Sequence, residues 1–319
     1  MQRAREQERV QWQLHGLNTR TVYGLTCWGV ARMPRHLSMA IGHVATWLAY
    51  RLLHDTTAAL VENLRVVRPD YDERELRALA LRTYRSYARD EIDFLRGLRL
   101  SKGQLSRWMI DDSGFDRVLA EGRGVLLLAG HLGNWELGGV MLRVFYDYPL
   151  TVIGLPETDP AVNDMRRALR ASIGVESLEV RQAADTALRI RRLLSENRIV
   201  AMLPDRALGR DRVDVDFFDR KVGFLRTPAL MAYMTGAPLL PAFVLRQADG
   251  RYTAFSSDPI YVPRTGDRDV NVRVAMQAFA SALEVQVRKY PHLWYQFYPY
   301  WRDSTEDAAL PSARSVSGA

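Results

Sequence analysis

Four short apolar runs, separated by helical patterns, most constrain the fold this chain can adopt. Residues 125–129 (VLLLA) carry no polar side chain and lie between Gly124 and Gly130, as in a strand buried on both faces. Similar runs follow at 150–155, 199–203 and 239–245, with helical stretches at 161–172, 183–196 and 225–234 interleaved. This alternation predicts an α/β fold with a mixed, mostly parallel sheet covered by helices. A strand at 252–256 and a helix at 270–289 complete the body. Upstream, Leu76, Leu79, Leu81, Tyr84, Tyr87, Ile92 and Leu95 recur at helix-like spacing with charges between them, so the first hundred residues read as a helical cap. The predicted organisation is a flexible N-terminus (1–20), one domain made of a helical, membrane-associated cap (21–110) and an α/β core (111–302), and a disordered polar tail (303–319).

With 47% hydrophobic and 25% charged residues over 319 positions, the chain can bury a core of its own, which excludes disordered and disulfide-stapled classes. Cys27 is the only cysteine. It cannot form an intrachain disulfide, a thiolate cluster or a CxxC motif, and reads as a small buried hydrophobe. The whole net charge of +7 lies in residues 1–110, which hold 18 Lys+Arg against 11 Asp+Glu. Such a distribution fits an anionic partner, either phospholipid headgroups or nucleic acid. No zinc finger, RNA-recognition motif or basic tail accompanies it, so the expected partner is an anionic bilayer surface and no nucleic acid.

Residues 1–13 are too charged for a cleavable signal, which predicts a chain on the cytoplasmic side of the membrane. The longest uncharged cap stretch, 36–50, has 15 residues, short of the roughly 20 a spanning helix needs. Trp28, Trp47 and Tyr50, flanked by Arg32, Arg35 and Arg51, suit a helix lying in a membrane interface. They suit a pair of helices packed on the domain equally well.

The strongest chemical signal is residues 130–139, GHLGNWELGG, where the first core strand ends. Open α/β sheets place their ligand crevice there, and His131 is the one histidine positioned as a base. A helix beginning near Gly133 or Asn134 puts Glu136 in its first turn, where its carboxylate suits the helix dipole. It can then fold back to orient the imidazole that deprotonates a hydroxyl. Backbone N–H groups at Gly133 and Asn134 are the expected oxyanion donors. The chain has no GxSxG, so the acceptor hydroxyl attacks directly rather than through an acyl-enzyme. It also has no HExxH or close His/Cys set, so no metal site is expected.

The GHLGNWELGG segment, with its HxxxxE spacing, resembles the signature of the bacterial lipid A biosynthesis acyltransferase and phosphatidylinositol mannoside acyltransferase group, within the lysophospholipid acyltransferase superfamily. Further segments are similar in the same order: Glu62-Asn63-Leu64 before Arg68-Pro69; Leu155-Pro156, Asp159-Pro160, Arg170 and Gly174; Leu203-Pro204-Asp205, Gly209 and residues 215–218; residues 236–241; and the aromatic ending 294–301. The resemblance covers roughly residues 20–302. It implies a glycerolipid acyltransferase-like fold and transfer of a fatty acyl chain to a hydroxyl of a glycolipid or lysolipid acceptor, lipid A-type or related. The implied donor is an acyl carrier protein or coenzyme A thioester, with no metal or other cofactor, at the cytoplasmic face of the inner membrane.

In this reading His131 is the general base and Glu136 its partner. Asp205 is a second acidic residue that can approach the histidine, and which carboxylate pairs with His131 stays open. Gly133, Asn134, Arg170, Asp205 and Arg206 are the expected substrate-binding residues, the two arginines holding phosphate or sugar. Residues 204–205 lean towards the lipid A branch and 213–218 towards the mannoside branch, so the acceptor is undecided. A nonenzymatic lipid-binding scaffold accounts for the basic cap but not for the His131/Glu136 spacing. A thioesterase would use the same base with water in place of the acceptor.

Overall fold

The structure, a computed structural model, describes residues 19–112, 114–157, 159–180, 183–207 and 211–301. The expected tail (303–319), His15, Gly209 and all but Thr19 and Arg20 of the expected flexible N-terminus lie outside these residues. Thr19 and Arg20 open the first helix.

The cap is built from α1 (Arg20–Arg32), α2 (Arg35–Leu52), α3 (His54–Val67) and α4 (Glu73–Gly97). The 25-residue α4 begins with a reciprocal cap: Asp72 accepts from the Glu75 N–H at 2.8 Å, and the Glu75 carboxylate accepts from the Asp72 N–H at 2.8 Å. This pairing satisfies two donors that a helix start otherwise leaves open. A short α5 (Lys102–Leu105), β1 (Met109–Asp112) and α6 (Phe115–Leu119) lead into the core. The cap/core boundary expected at residue 110 therefore falls inside a strand.

The core continues as β2 (Val125–Leu128), α7 (Trp135–Tyr146), β3 (Leu150–Gly154), α8 (Pro160–Ala171), β4 (Glu176–Glu179), α9 (Ala183–Ser195), β5 (Ile199–Met202), β6 (Val213–Phe217) and β7 (Arg220–Phe224). Then follow α10 (Thr227–Thr235), β8 (Leu239–Arg246), β9 (Tyr252–Ser256) and α11 (Arg268–Lys289). Seven strands form one sheet in the order β1-β9-β8-β2-β5-β3-β4, and every neighbouring pair is parallel except β8 and β9. This is the expected α/β class. On β2, Leu126 and Leu128 enter the apolar cluster on one face while Val125 and Leu127 enter that on the other, the period-two alternation of a strand covered on both sides. Cys27 is half-buried rather than buried, packed at the rim of the second cluster.

Two polar ties lock the cap to the core. Asn63 on α3 donates its amide to the carbonyls of Gln296 (2.9 Å) and Tyr298 (2.6 Å) and accepts from the Tyr300 N–H (3.0 Å). The aromatic ending is thereby held against α3. On α4, Asp90 is buried with the Tyr295 hydroxyl donating to it at 2.6 Å. The Tyr252 hydroxyl stands 2.8 Å from Asp90 Oδ1 and 2.9 Å from Asp93 Oδ2. One hydroxyl proton cannot serve both carboxyls. Asp93 is held by the Arg35 guanidinium through two bonds of 2.9 Å, so Asp90, which has no such cation bonded to it, is the less readily ionised of the two.

Burial, against the opposing pull of the Tyr295 and Tyr252 hydroxyls, pushes the Asp90 carboxyl up to about 7. Between about pH 4 and pH 7 the folded chain therefore holds a proton that the unfolded chain has released, so this group's contribution to stability falls as pH rises. Asp90→Asn cannot release that proton. Its stability relative to the wild type should improve from about pH 4 to about pH 7 and level off above in urea unfolding, and a pH-independent difference would contradict a raised Asp90 pKa.

Candidate active site

His131 and Asp205 reach each other because two neighbouring strands end together. Strands β2 and β5 are parallel and in register, with Leu128 opposite Met202. Each functional side chain sits three residues past its strand's end, so the two arrive side by side at the carboxyl edge of the sheet, where such folds bind ligands. Asp205 Oδ1 lies 2.7 Å from His131 Nδ1, and Asp205 Oδ2 accepts from the His131 backbone N–H at 2.9 Å. Gln296 adds a third bond, donating its amide to Oδ2 at 3.1 Å. Asp205 is fully buried, whereas the His131 side chain keeps 17% exposure.

Burial acts to raise the Asp205 pKa, but His131 and the Arg206 guanidinium outweigh it and hold the carboxyl below its ordinary range. Asp205 is thus an acceptor, and the His131 ring proton resides on Nδ1. Burial, aided by Arg206 and opposed by Asp205, lowers the His131 pKa below its ordinary value. The ring is neutral near pH 7, with Nε2 free to take a proton.

Of the two carboxylates left open as partners of His131, this geometry pairs Asp205 with the ring, and Glu136, the first expected, does not orient it. Glu136 does fall in the first turn of α7, but it faces α8. Arg170 grips it with both Nε (3.1 Å) and Nη2, and Arg166 Nη1 stands 3.9 Å away. Burial alone would raise the Glu136 pKa, and these two arginines reverse the shift and hold it low. Arg166 was not singled out from sequence, although it lies one helical turn before Arg170 and hence on the same face of α8.

The expected oxyanion donors are also displaced. The Gly133 N–H bonds Leu293 O and the Asn134 N–H bonds Val244 O, both at 2.9 Å. Gly133 is required for a different reason. Its φ is +67°, and a Cβ there would stand 2.3 Å from Val244 O, a position open only to glycine. Asn134 is a helix cap: its side chain accepts from the Leu137 N–H at 3.0 Å and donates to Asp90 O at 2.9 Å. The next N–H groups, of Trp135 and Glu136 at the start of the 12-residue α7, meet no acceptor among the described residues.

Asp205, expected to touch substrate, lies beneath His131 instead. Arg206 is held by Gln296 Oε1 (2.9 Å) and Tyr295 O (2.7 Å), with its guanidinium 5.2 Å from the centre of the Tyr298 ring. Gln296 is the functional residue that sequence reasoning passed over within the aromatic ending. It is fully buried and bridges Asp205 to Arg206.

These groups stand at a cavity of about 870 Å³. Its polar wall is formed by His131, Glu136, Glu157, Arg166, Arg170 and Arg206. Its apolar wall runs under α7 along Leu127, Leu142, Leu150, Val152, Ile173 and Val175, past the small side chains of Ala201, Ala242 and Ala254. Among the described residues that line it there is no serine or cysteine. Tyr23 on α1 lies under Arg166, whose guanidinium is 5.1 Å from the ring centre. The Arg166 side chain of the polar wall is therefore backed by the first helix of the cap.

The neutral His131 imidazole stands at the edge of a largely apolar cavity. The chain belongs to the bacterial lipid A biosynthesis acyltransferase family, whose model matches residues 11–303. It is 28% identical over 219 residues to a phosphatidylinositol mannoside acyltransferase of Mycolicibacterium smegmatis, a match covering 68% of this chain and 70% of that protein. It is likewise 28% identical over 213 residues to the phosphatidylinositol mannoside acyltransferase of Mycobacterium tuberculosis strain H37Rv, covering 66% of this chain and 65% of that one.

The geometry fixes the His131 tautomer. Nitrogen-detected NMR of the imidazole at pH 7 should show a protonated Nδ1 and a bare Nε2. A proton on Nε2 would remove the base from the cavity.

Proposed function

We propose that this family member transfers a fatty acyl chain from an acyl carrier protein or coenzyme A thioester to a sugar hydroxyl of a membrane glycolipid, with His131 as general base. The observation that carries this reading is the His131–Asp205 pair at the head of the apolar cavity. His131 Nε2 takes the proton of the acceptor hydroxyl as its oxygen attacks the thioester carbonyl. Asp205 stabilises the imidazolium that forms. The N–H groups of Trp135 and Glu136 meet the oxyanion, one step further along the helix start than the sequence placed it. When the thioester C–S bond breaks, the leaving thiolate takes the proton back from the imidazolium. Each proton and charge is handled by a side chain or a helix end, so the scheme invokes no metal or cofactor.

The acceptor class follows from the polar wall. Arg170 is neutralised by Glu136, and Glu157 adds another carboxylate beside Arg166 at 3.5 Å. These two ion pairs suit the donors and acceptors of neutral hydroxyls better than a bare phosphate, and Arg206, hydrogen-bonded to Gln296 and Tyr295, is the wall's one further cation among those named. The matched relatives are named for a mannoside acceptor, which supports a sugar here too.

The setting we propose is peripheral, at the cytoplasmic face of the bacterial inner membrane, where soluble thioester donors are at hand. Among the described residues no helix is long and apolar enough to cross a membrane. Yet α1 exposes Val22, Leu25 and Trp28, and α2 exposes Ile41, Val44, Trp47, Leu48 and Leu52. Arg32 covers the Trp28 ring at 4.9 Å and Arg51 the Trp47 ring at 5.4 Å, the pairing of amphipathic anchors at a headgroup boundary.

Two experiments test these assignments. His131→Ala should lower kcat by about 10²–10⁴-fold and Asp205→Asn by about 10²-fold. Because Asp205 raises the His131 pKa, Asp205→Asn should also move the acid limb of the pH–rate profile to lower pH. Glu136→Gln should leave that limb in place and raise the acceptor KM. A folded His131→Ala variant with near wild-type transfer would overturn the mechanism, and equal turnover without acceptor would make the enzyme a thioesterase. For docking, Trp28→Ser/Trp47→Ser should weaken binding to phosphatidylcholine vesicles at least about tenfold, and unchanged binding would mean the face serves another purpose.

A further inference from the structure

Beside the docking face, four elements of the fold bring cations together. On α4, Arg82, Arg85 and Arg89 fall at i, i+3 and i+7, on one side of the helix. His43 on α2 lies against them, its Nε2 3.3 Å from Arg89 Nη2. Arg246 closes the group from the end of β8 with a buried Nε that meets no acceptor, and His292, in the 3-10 turn Pro291–Leu293, lies within the fields of Arg82 and Arg246. None of the four arginines has an ion-pair partner among the described residues. Asp93, the carboxylate acting on Arg89, is held by Arg35 through two bonds, and Asp90, in the field of Arg246, is pushed up to about 7 by burial.

The uncompensated charge is felt locally. Burial, then Arg89, Arg85 and Arg246, lowers the His43 pKa. Burial, then Arg82 and Arg246, takes His292 down to about 4. Burial and Arg246 lower Arg89 as well. Crowded cations with no carboxylate in ion-pair contact among the described residues and one buried, unpartnered donor make a site completed by an anion.

We propose that His43, Arg82, Arg85, Arg89 and Arg246 form a binding site for the phosphate of an anionic phospholipid that is not a substrate. The chemistry is that of a phosphate monoanion, multiply hydrogen-bonded by guanidinium groups. The source follows from position. His43 lies between Ile41 and Val44, two residues of the exposed apolar face of α2, so a helix sunk to headgroup depth brings the cluster level with lipid phosphates. None of these residues lines the cavity, and the bound lipid therefore stays outside the reaction. This assignment rests on the docking reading for the source of the phosphate alone.

The test uses the full chain with labelled histidine and follows the His43 ring by NMR. Dihexanoyl phosphatidylglycerol should bind saturably and raise the pH at which His43 titrates, because the anion offsets the neighbouring arginines. Dihexanoyl phosphatidylcholine should leave it unmoved. Arg82→Gln/Arg85→Gln, both at exposed positions, should weaken the phosphatidylglycerol response about tenfold or more. Arg32→Gln/Arg51→Gln, an equal loss of charge elsewhere on the docking face, should retain it.

Equal responses to the two lipids, or equal losses in the two double variants, would reduce the cluster to diffuse electrostatics and overturn the site. A response to inorganic phosphate alone would overturn the lipid as the source, and one to an acidic carrier protein alone would make the patch a protein dock. Vesicle binding through Trp28 and Trp47, and acyl transfer to a detergent-dispersed acceptor, are read separately, so failure here leaves those readings intact.

Discussion

A fully buried carboxylate in the core of an α/β sheet is tolerable only if every lone pair finds a donor, and Asp205 sets that requirement for the rest of the molecule. Its donors come from distant parts of the chain: the backbone and ring of His131 past β2, and the Gln296 amide of the aromatic ending. The Tyr300 hydroxyl donates to its backbone oxygen at 2.9 Å. Leaving one bond of a buried group unmade costs roughly 1–3 kcal/mol, more for a charged one, so the ending is tied firmly to the His131–Asp205 pair. This is why Asn63 matters from a distance. By bonding residues 296, 298 and 300 it holds the segment that completes the Asp205 shell.

The cap is joined to this shell by a chain of hydrogen bonds. Arg35 holds Asp93, Asp93 meets Tyr252, Tyr252 meets Asp90, and Asp90 accepts from Tyr295. The backbone N–H of that same Tyr295 bonds His131 O at 2.8 Å. The helices that expose apolar side chains and the loop that carries the base are therefore parts of one polar framework, and tilting α2 away from α4 would strain it. Fixed dipoles of this kind hold an imidazole in place without reorganisation during a reaction.

Much of this was legible in the sequence, for reasons that differ by element. Strands β2, β3, β5 and β8 announced themselves because a central strand must be apolar on both faces. The edge strands β1 (MIDD) and β4 (ESLE) did not, because an edge needs polar, half-exposed residues to avoid pairing with other chains. The glycine-flanked His131 was found from its place after a buried run. Its partner was reached only through the family resemblance, which left Asp205 and Glu136 both open, since Asp205 lies 74 residues away and only the strand order β2-β5 makes them neighbours. Glu136, five residues on, looked closer than it is: once α7 begins at Trp135, the first turn carries its side chain round towards α8. Gly133 and Asn134 were found for a role they do not hold, because free N–H groups can be counted only after the loop's partners, Val244 and Leu293, are known.

The separation of the two carboxylates has a chemical logic. A base that must accept a proton needs one orienting carboxylate and a pKa low enough to be neutral near pH 7. A second carboxylate ionised against the ring would raise the His131 pKa further and favour the imidazolium before any substrate arrives. Arg170 and Arg166 prevent this by drawing Glu136 aside and cancelling its field. The same ion pair presents the cavity with a fixed dipole. In the mechanism we propose, the HxxxxE spacing separates two tasks, the histidine facing the bond to be made and the glutamate the molecule that supplies the hydroxyl. The sheet register, through Leu128 and Met202, brings in the carboxylate that the motif itself does not contain.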